Sequence, residues 1–189
     1  MQPPPDEHDL IQRAQQGDKA AVSALYSAYV QAVYRYVRYR VDADATAEDI
    51  TSEVFLRMVR ELPRFRYTGA PLSAWLYRIA RNCITDHYRK HDRAPHETIS
   101  DDVPHNAADP LDAMTRAEEH AQLQRALHTL PPDYQNVLIL RFINNVSHAE
   151  IASILGKTEA AARVLQHRAL KALGAAFESG GQSSRGRLR

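Results

Sequence analysis

The amino-acid sequence predicts an all-α fold of two small helical domains that are joined by a flexible linker. Apolar residues recur at steps of three and four from residue 9 to residue 90, which is the period of an amphipathic helix. The period disappears over residues 91–112 and returns between residues 123 and 173. No segment alternates apolar and polar residues as a half-buried strand does. Two helical blocks with a break between them are the predicted architecture.

Capping signals divide the first block into separate helices. Gly17 followed by Asp18 predicts that one helix ends and another begins, because glycine tolerates a left-handed turn and aspartate accepts hydrogen bonds from free backbone amides. Thr46, with Asp49 three residues later, resembles a capping box and predicts the start of a third helix. The first block therefore contains several short helices and not one long one.

Two prolines locate the last helix of this block. Pro63 is expected to end the third helix, since proline lacks the amide that an interior helical position needs. Pro71 is expected at the first position of a fourth helix. The first domain is therefore predicted as four helices over residues 9–91, preceded by a disordered N-terminus over residues 1–8.

The break between the blocks has the composition of a linker. Residues 91–112 contain three prolines, no aromatic residue, and six carboxylates against one arginine. Such a segment cannot bury enough apolar surface to fold by itself, so an acidic flexible linker is predicted over residues 92–114. The second domain is predicted over residues 115–175, and the arginine-containing end, residues 176–189, as a disordered basic tail.

Composition limits the classes of function. With 24 basic and 23 acidic residues, the net charge of +1 does not identify a nucleic-acid binder, so the distribution of charge must decide. Cys83 is the single cysteine, which excludes intramolecular disulfides and zinc sites made of several cysteines. No apolar run approaches the roughly 20 residues that span a bilayer, and the first ten residues lack a signal-peptide pattern. We expect a cytoplasmic protein without membrane insertion, metal or cofactor.

The second block contains a helix-turn-helix pattern. Ser147 and Glu150 form a capping-box pair, and Gly156 permits the left-handed turn between two helices, the second of which starts near Thr158. An ordinary helical hairpin is the alternative, but Arg163 and later cations place positive charge on the second helix, as DNA binding requires. The outward-facing residues on this helix are predicted to be Thr158, Glu159, Arg163, Val164 and His167.

The first block has a basic and aromatic segment of its own. Residues 64–93 contain seven basic and two acidic residues, with five aromatic residues between them. Cations bind phosphate and aromatic rings stack on bases, which indicates a nucleic-acid surface. Trp75 and Ile79 lie four residues apart and are expected in the core instead.

Three motifs together resemble a known family. Residues 47–60, AEDITSEVFLRMVR, residues 72–82, LSAWLYRIARN, and the helix-turn-helix occur in the order found in extracytoplasmic-function (ECF) sigma factors of the sigma-70 family. The resemblance covers Asp9 to Leu173 and implies a sigma-2 domain, a linker and a sigma-4 domain. It implies a non-enzymatic protein that binds core RNA polymerase, through its beta-prime and beta subunits, and promoter DNA. It also implies an anti-sigma partner and a role in a stress or envelope response.

The resemblance assigns residues to each contact. The helix that docks on the beta-prime coiled coil would use Asp49, Glu53, Phe55, Leu56 and Arg57. The same motif commonly has glutamine where Ser52 stands, and from the residues alone Asp49 could equally cap a helix and Phe55 could equally belong to the core.

Promoter contacts are assigned in the same way. The loop over residues 65–70 corresponds to the segment that captures a base flipped from the minus-ten element. The minus-ten residues are Phe65, Arg66, Tyr67, Thr68, Arg78, Arg81, Asn82, Asp86 and Arg89, and the minus-thirty-five residues are Lys157, Thr158, Glu159, Arg163, His167, Arg168 and Lys171. The recognition helix departs from the family pattern at Ala162, where valine is usual.

Two other classes of function remain to be compared. A helix-turn-helix regulator could use the first block as a helical sensor or dimerisation module, and polymerase binding would distinguish it from a sigma factor. A hydrolytic or metal enzyme is disfavoured, because the sequence has no nucleophile elbow, phosphate-binding loop or HExxH spacing.

Overall fold

The computed structural model describes residues 3–67, 69–91 and 121–185, so the whole of the predicted linker, residues 92–114, and the start of the second domain lie outside the described residues. Within these ranges every regular element is helical, which confirms the predicted all-α class. The first half contains α1 (Glu7–Gln15), α2 (Lys19–Arg38), α3 (Asp44–Glu61) and α4 (Leu72–His91), with a 3₁₀ turn at Leu62–Arg64. The second half contains α5 (121–128), α6 (Pro132–Leu138), a π-helical turn (Ile139–Ile143), α7 (His148–Leu155) and α8 (Glu159–Arg185).

The first helix starts earlier than the sequence predicts. Residues 1–8 are predicted as disordered, but α1 begins at Glu7, whose side chain is buried. Its Oε1 accepts hydrogen bonds from the Tyr29 hydroxyl and, at 3.1 Å, from the backbone N–H of Leu72. A buried carboxylate needs such donors, and here they connect α1 to α2 and to the first residue of α4.

Of the predicted starts of α2 and α3, the first is confirmed and the second is wrong. Asp18 caps α2 as expected, accepting from the backbone N–H of Ala20 at 2.8 Å and of Ala21 at 3.3 Å. The capping box at Thr46 is wrong, because α3 already begins at Asp44. Asp44 supplies the carboxylate that the positive end of the helix dipole favours, and it also pairs with Arg38 of α2.

The predicted helix-turn-helix is present in the second half. The Ser147 side chain accepts from the Glu150 backbone N–H while the Glu150 carboxylate accepts from the Ser147 backbone N–H, so the capping box is confirmed. Gly156 ends α7 with φ 65°, in the left-handed region where glycine is unstrained. Thr158 caps α8, accepting from the Ala161 backbone N–H at 3.2 Å.

The last helix is longer than predicted. Periodicity ends near Leu173 and a disordered tail is predicted from residue 176, whereas the backbone of α8 is helical to Arg185. Extending an existing helix adds a hydrogen bond for each residue that is fixed, so it needs no apolar periodicity. The apolar pattern therefore predicts where α8 stops packing against the core, and the backbone remains helical beyond that point.

The two halves pack against each other through α7 on α4 and the π-helical turn on α2. Buried amide side chains form part of this contact. Asn136 of α6 is 2% exposed, and its Oδ1 accepts hydrogen bonds from the Tyr36 hydroxyl, at 2.7 Å, and from the guanidinium of buried Arg40. A residue of the other half thus accepts hydrogen bonds from the Tyr36 hydroxyl of α2 and from one guanidinium nitrogen of Arg40, just beyond the end of α2.

Two more amides of the second half bind the first half. Asn144, also 2% exposed, donates from Nδ2 to the carbonyl of Ala32 at 2.7 Å and to the Tyr77 hydroxyl at 2.9 Å. Gln124 of α5 donates to the carbonyl of Arg38, the last residue of α2, at 3.1 Å and to that of Val41 at 2.7 Å. These bonds require a close fit between the halves, since each amide is shielded from water.

Candidate polymerase and promoter interfaces

The helix α3 has one buried and one exposed side. Ile50, Val54 and Met58 face the core, while the opposite side combines carboxylates with apolar side chains. Leu56 is 60% exposed and Val59 is 49% exposed. Large apolar side chains on an otherwise polar helix surface are what a partner helix can bury.

The five residues predicted to contact polymerase differ in their exposure to solvent. Asp49 and Leu56 lie on the exposed side. Glu53 and Arg57 are partly buried at its edge, where Arg57 Nε donates to Glu53 Oε1 at 2.6 Å and this hydrogen bond lowers the pKa of the carboxyl group. Phe55 is buried and packs edge-on against Tyr26, with ring centroids 4.8 Å apart. Phe55 therefore supports the helix from inside, which is the alternative that the sequence left open.

Two apolar residues on this surface were missed by the sequence reasoning. Val59 continues the exposed side of α3 one turn beyond Leu56, and Tyr26 of α2 is 46% exposed beside Phe55. Helical spacing from Leu56 could have identified Val59. Tyr26 could not be found in this way, because it belongs to α2 and only the packing of α2 on α3 places it beside the exposed side of α3.

The helix α4 presents a second exposed surface. Arg78, Asn82, Thr85 and Arg89 are exposed and follow one another at steps of four, three and four, so they share one side of the helix. Arg81 is half-buried beside this row. Guanidinium groups can contact phosphate, and the Asn82 amide has both a donor and an acceptor for a base edge.

Asp86 connects the surfaces of α3 and α4. Its Oδ2 lies 3.6 Å from Arg57 Nη1, and both side chains are partly exposed. Among the predicted minus-ten residues it is the one carboxylate, and a carboxylate disfavours phosphate nearby. The structure thus gives Asp86 a protein partner on α3.

The loop before α4 is anchored at one end and open at the other. Phe65 packs against Trp75 with ring centroids 4.6 Å apart, and its carbonyl accepts from Gln15 Nε2 at 2.7 Å. Arg66 and Tyr67 are exposed, and Tyr67 stacks on His8 at 4.8 Å. Thr68, also assigned to this site, lies outside the described residues.

The recognition helix α8 carries the third surface. All seven residues predicted to contact the minus-thirty-five element are exposed, and Ala162 and Ala169 on the other side are fully buried. Arg163 Nη2 donates to Glu159 Oε1 at 2.6 Å, and Lys157 Nζ lies 3.1 Å from Asp133 Oδ2. Both cations therefore have carboxylate partners in the structure.

Other kinds of site find no support in the described part of the chain. No group of three or more histidine, cysteine, aspartate or glutamate residues there could hold a metal ion. Cys83 is buried, and burial raises the pKa of its thiol, which disfavours the reactive thiolate. Among the described helices, none has the length and apolar character of a membrane span.

Comparison with known proteins gives the family. The Sigma-70 region 2 model matches residues 25–94, and the Sigma-70, region 4 model matches residues 120–173. The chain is 35% identical over 176 residues to the ECF RNA polymerase sigma factor SigD of Mycobacterium tuberculosis, covering 87% of this chain and 80% of SigD. The chain belongs to the ECF sigma factors.

Two further similarities describe this ECF sigma factor. It is 40% identical over 167 residues to the ECF RNA polymerase sigma factor BldN of Streptomyces coelicolor, a match over 87% of the chain that spans 63% of BldN. A solved structure of CnrH in complex with the cytosolic domain of CnrY has the same fold, with a TM-score of 0.71 at 22% identity over 90% of this chain and 96% of CnrH.

Membership confirms the predicted role in transcription initiation, with core RNA polymerase and promoter DNA as partners. This sigma factor binds core RNA polymerase and promoter DNA and directs transcription initiation. The alternative of a helix-turn-helix regulator with a sensor domain is not supported. Region 2 comprises most of α2, α3 and α4, and region 4 comprises α5 to the middle of α8, so the three exposed surfaces fall within the matched regions.

Proposed function

We propose that the three exposed surfaces divide the work of this sigma factor. The exposed side of α3 binds core polymerase, the loop over residues 65–70 and the exposed side of α4 hold the minus-ten element, and α8 reads the minus-thirty-five element. The observation that carries the proposal is that each family motif supplies a solvent-exposed surface whose chemistry suits its partner.

The α3 surface suits a polymerase helix. Leu56 and Val59 offer apolar area, and the carboxylates of Glu48 and Asp49 lie about two turns before Leu56 on the same side. A partner helix could place apolar side chains against Leu56 and cations against the carboxylates. The apolar groups would then be buried against apolar groups, and each carboxylate would be paired with a cation. The beta-prime coiled coil is the partner that the family motif implies.

The minus-ten surface combines a basic row with a stacking ring. Arg78 and Arg89 would hold the phosphate backbone, and Asn82 between them would contact a base edge. Tyr67 has an exposed ring at the loop, where a base turned out of the duplex could stack. Turning a base out costs a few kcal/mol, which such contacts would have to offset.

Promoter binding requires the two halves to separate. The minus-ten and minus-thirty-five elements are about 25 base pairs apart, which is about 85 Å of B-form DNA at about 3.4 Å per base pair. In the structure α7 of the helix-turn-helix packs directly on α4. Residues 92–120 can reach about 100 Å when fully extended, so the covalent chain permits the separation.

We propose further that an anti-sigma factor controls this chain, as the family resemblance implies, and that the response serves stress or envelope conditions. The surface that would bind such a partner is the one that polymerase uses, because the exposed Leu56 and Val59 need an apolar cover. CnrH, which has the same fold, is in complex with a domain of CnrY.

Reconstituted transcription tests the proposed function. The purified chain is mixed with bacterial core polymerase and promoter fragments that promoter mapping has identified. We expect a stable complex with core polymerase, opening of the promoter and run-off transcripts that begin at the mapped start. Tight sequence-specific binding of the chain to these promoters without core polymerase, and no complex with core, would contradict it.

A further inference from the structure

The recognition helix α8 has an apolar centre on its outward side. Ala160, Val164, His167 and Lys171 are all exposed and follow one another at steps of four, three and four residues, so they form one row. Val164 comes two residues after the fully buried Ala162, which is about 200° around the helix. Val164 therefore points almost directly away from the core of the second half.

Neither burial nor helix formation explains a valine at this position. Its side chain is 51% exposed, and valine is a poorer helix former than alanine or arginine because its branched side chain loses freedom in a helix. A single exposed valine is ordinary, but Val164 adjoins Ala160, Ala161 and Leu165 in a shallow apolar depression. The depression is thus a continuous apolar patch that extends from the outward row to the half-buried Leu165.

The charges around this patch indicate its occupant. Lys157 and Arg168 border the depression, and His167 and Lys171 continue the outward row. Cations around an apolar centre fit a DNA major groove, where phosphates line the edges and bases form the floor. Val164 is the sixth residue of α8, within the first two turns that reach base edges in a helix-turn-helix.

Among base edges in the major groove, thymine alone presents a methyl group. The valine side chain has no hydrogen-bond donor or acceptor, so it leaves a guanine, cytosine or adenine edge without a partner and contacts the thymine methyl favourably. The small side chains of Ala160 and Ala161 leave room for the helix to approach the groove floor. We infer that Val164 is a specificity-determining residue that selects thymine in the minus-thirty-five element by contact with its C5-methyl group.

This inference rests on the proposed role of α8 at the minus-thirty-five element and adds a second means of recognition. Arg163 lies about 100° from Val164 around the helix, on the flank of the outward row. Arginine reads guanine by hydrogen bonding, whereas valine reads a methyl group. The two residues would therefore specify different base pairs.

Removal of the thymine methyl group gives a direct test. The preferred minus-thirty-five element is selected from randomised DNA with the reconstituted holoenzyme, and each thymine on either strand is then replaced by deoxyuridine, which lacks only the methyl. We expect one or two positions at which deoxyuridine weakens binding about fourfold, the factor that corresponds to about 0.8 kcal/mol for one buried apolar carbon. Val164→Ala should remove the difference between thymine and deoxyuridine at those positions.

Leu170→Ala is the matched control. Leu170 is 41% exposed on the same helix, but it lies about 120° around the helix from Val164. This variant should keep the fourfold effect of deoxyuridine. Circular dichroism and unchanged binding to core polymerase show that both variants fold.

Three results would overturn the inference: a selected element without an A·T pair, no effect of deoxyuridine at any position, or an undiminished effect in Val164→Ala. Failure of the proposed function would look different. If α8 does not contact the element, Arg163→Ala and Lys171→Ala would also leave binding to it unchanged.

Discussion

Asn144 donates a hydrogen bond from Nδ2 to the hydroxyl of Tyr77 at 2.9 Å, across 67 residues of sequence. Tyr77 belongs to α4, the helix of the proposed minus-ten surface, and Asn144 directly precedes the helix-turn-helix. Both side chains are buried. Burial raises the pKa of the Tyr77 hydroxyl, so this hydroxyl stays neutral and accepts the hydrogen bond from the Asn144 amide. The contact therefore couples the half that carries the proposed minus-ten surface to the half that carries the proposed minus-thirty-five surface.

Asn144→Ala should loosen the packing of the halves. The variant leaves the Ala32 carbonyl and the Tyr77 hydroxyl without this donor, at a cost of about 1–3 kcal/mol. We expect a larger radius of gyration by small-angle scattering with unchanged helix content. Asn82→Ala changes an exposed asparagine of α4 and should leave the radius as it is. An unchanged radius and unfolding temperature in Asn144→Ala would show that the amide does not hold the halves together.

The α3 surface should determine the affinity for core polymerase. In the double variant Asp49→Lys, Leu56→Ala, one charge is reversed and one exposed apolar side chain is shortened, and we expect at least about tenfold weaker binding, since burial of a leucine contributes about 1.5–3 kcal/mol. Glu61→Lys is the control, because Glu61 is exposed on the same helix about 120° around it from Asp49 and about 140° from Leu56. Binding is measured by titration with labelled core polymerase. Equal losses in both variants would indicate a general effect of charge.

Tyr67 should be needed for promoter opening and not for polymerase binding. A base that stacks on an aromatic side chain gains about 1–3 kcal/mol, so Tyr67→Ala should reduce open complexes about tenfold or more. Permanganate reactivity of promoter thymines measures the opening. His8→Ala removes the ring on which Tyr67 stacks while leaving Tyr67 itself in place, so it separates a base contact from local packing. Normal reactivity in Tyr67→Ala would contradict the assignment.

Arg163 and Lys171 should have different roles on α8. Arg163→Ala is expected to cost about 1–3 kcal/mol at one base pair and to relax the preference there, as the loss of a bidentate contact does. Lys171→Ala is expected to weaken binding to all sequences alike and to lower the salt slope by about one unit. Holoenzyme binding to single-base promoter substitutions at several salt concentrations distinguishes the roles. A uniform loss for Arg163→Ala would make that residue a phosphate contact.

The sequence by itself determined the all-α class, the caps of α2 and α7 and the helix-turn-helix. The Asp18 cap, the box of Ser147 with Glu150 and the left-handed Gly156 each depend on residues within four positions of one another, so local physics is sufficient. The exposed rows on α4 and α8 follow from helical spacing in the same way.

Only the tertiary structure decided which side chains those helices bury together. Phe55 lies inside because α2 covers it, Glu7 is ordered because Tyr29 and Leu72 donate to it, and Asn136 and Asn144 bind across the two halves. A buried polar group needs a partner that can be distant in sequence, and neither composition nor periodicity specifies that partner.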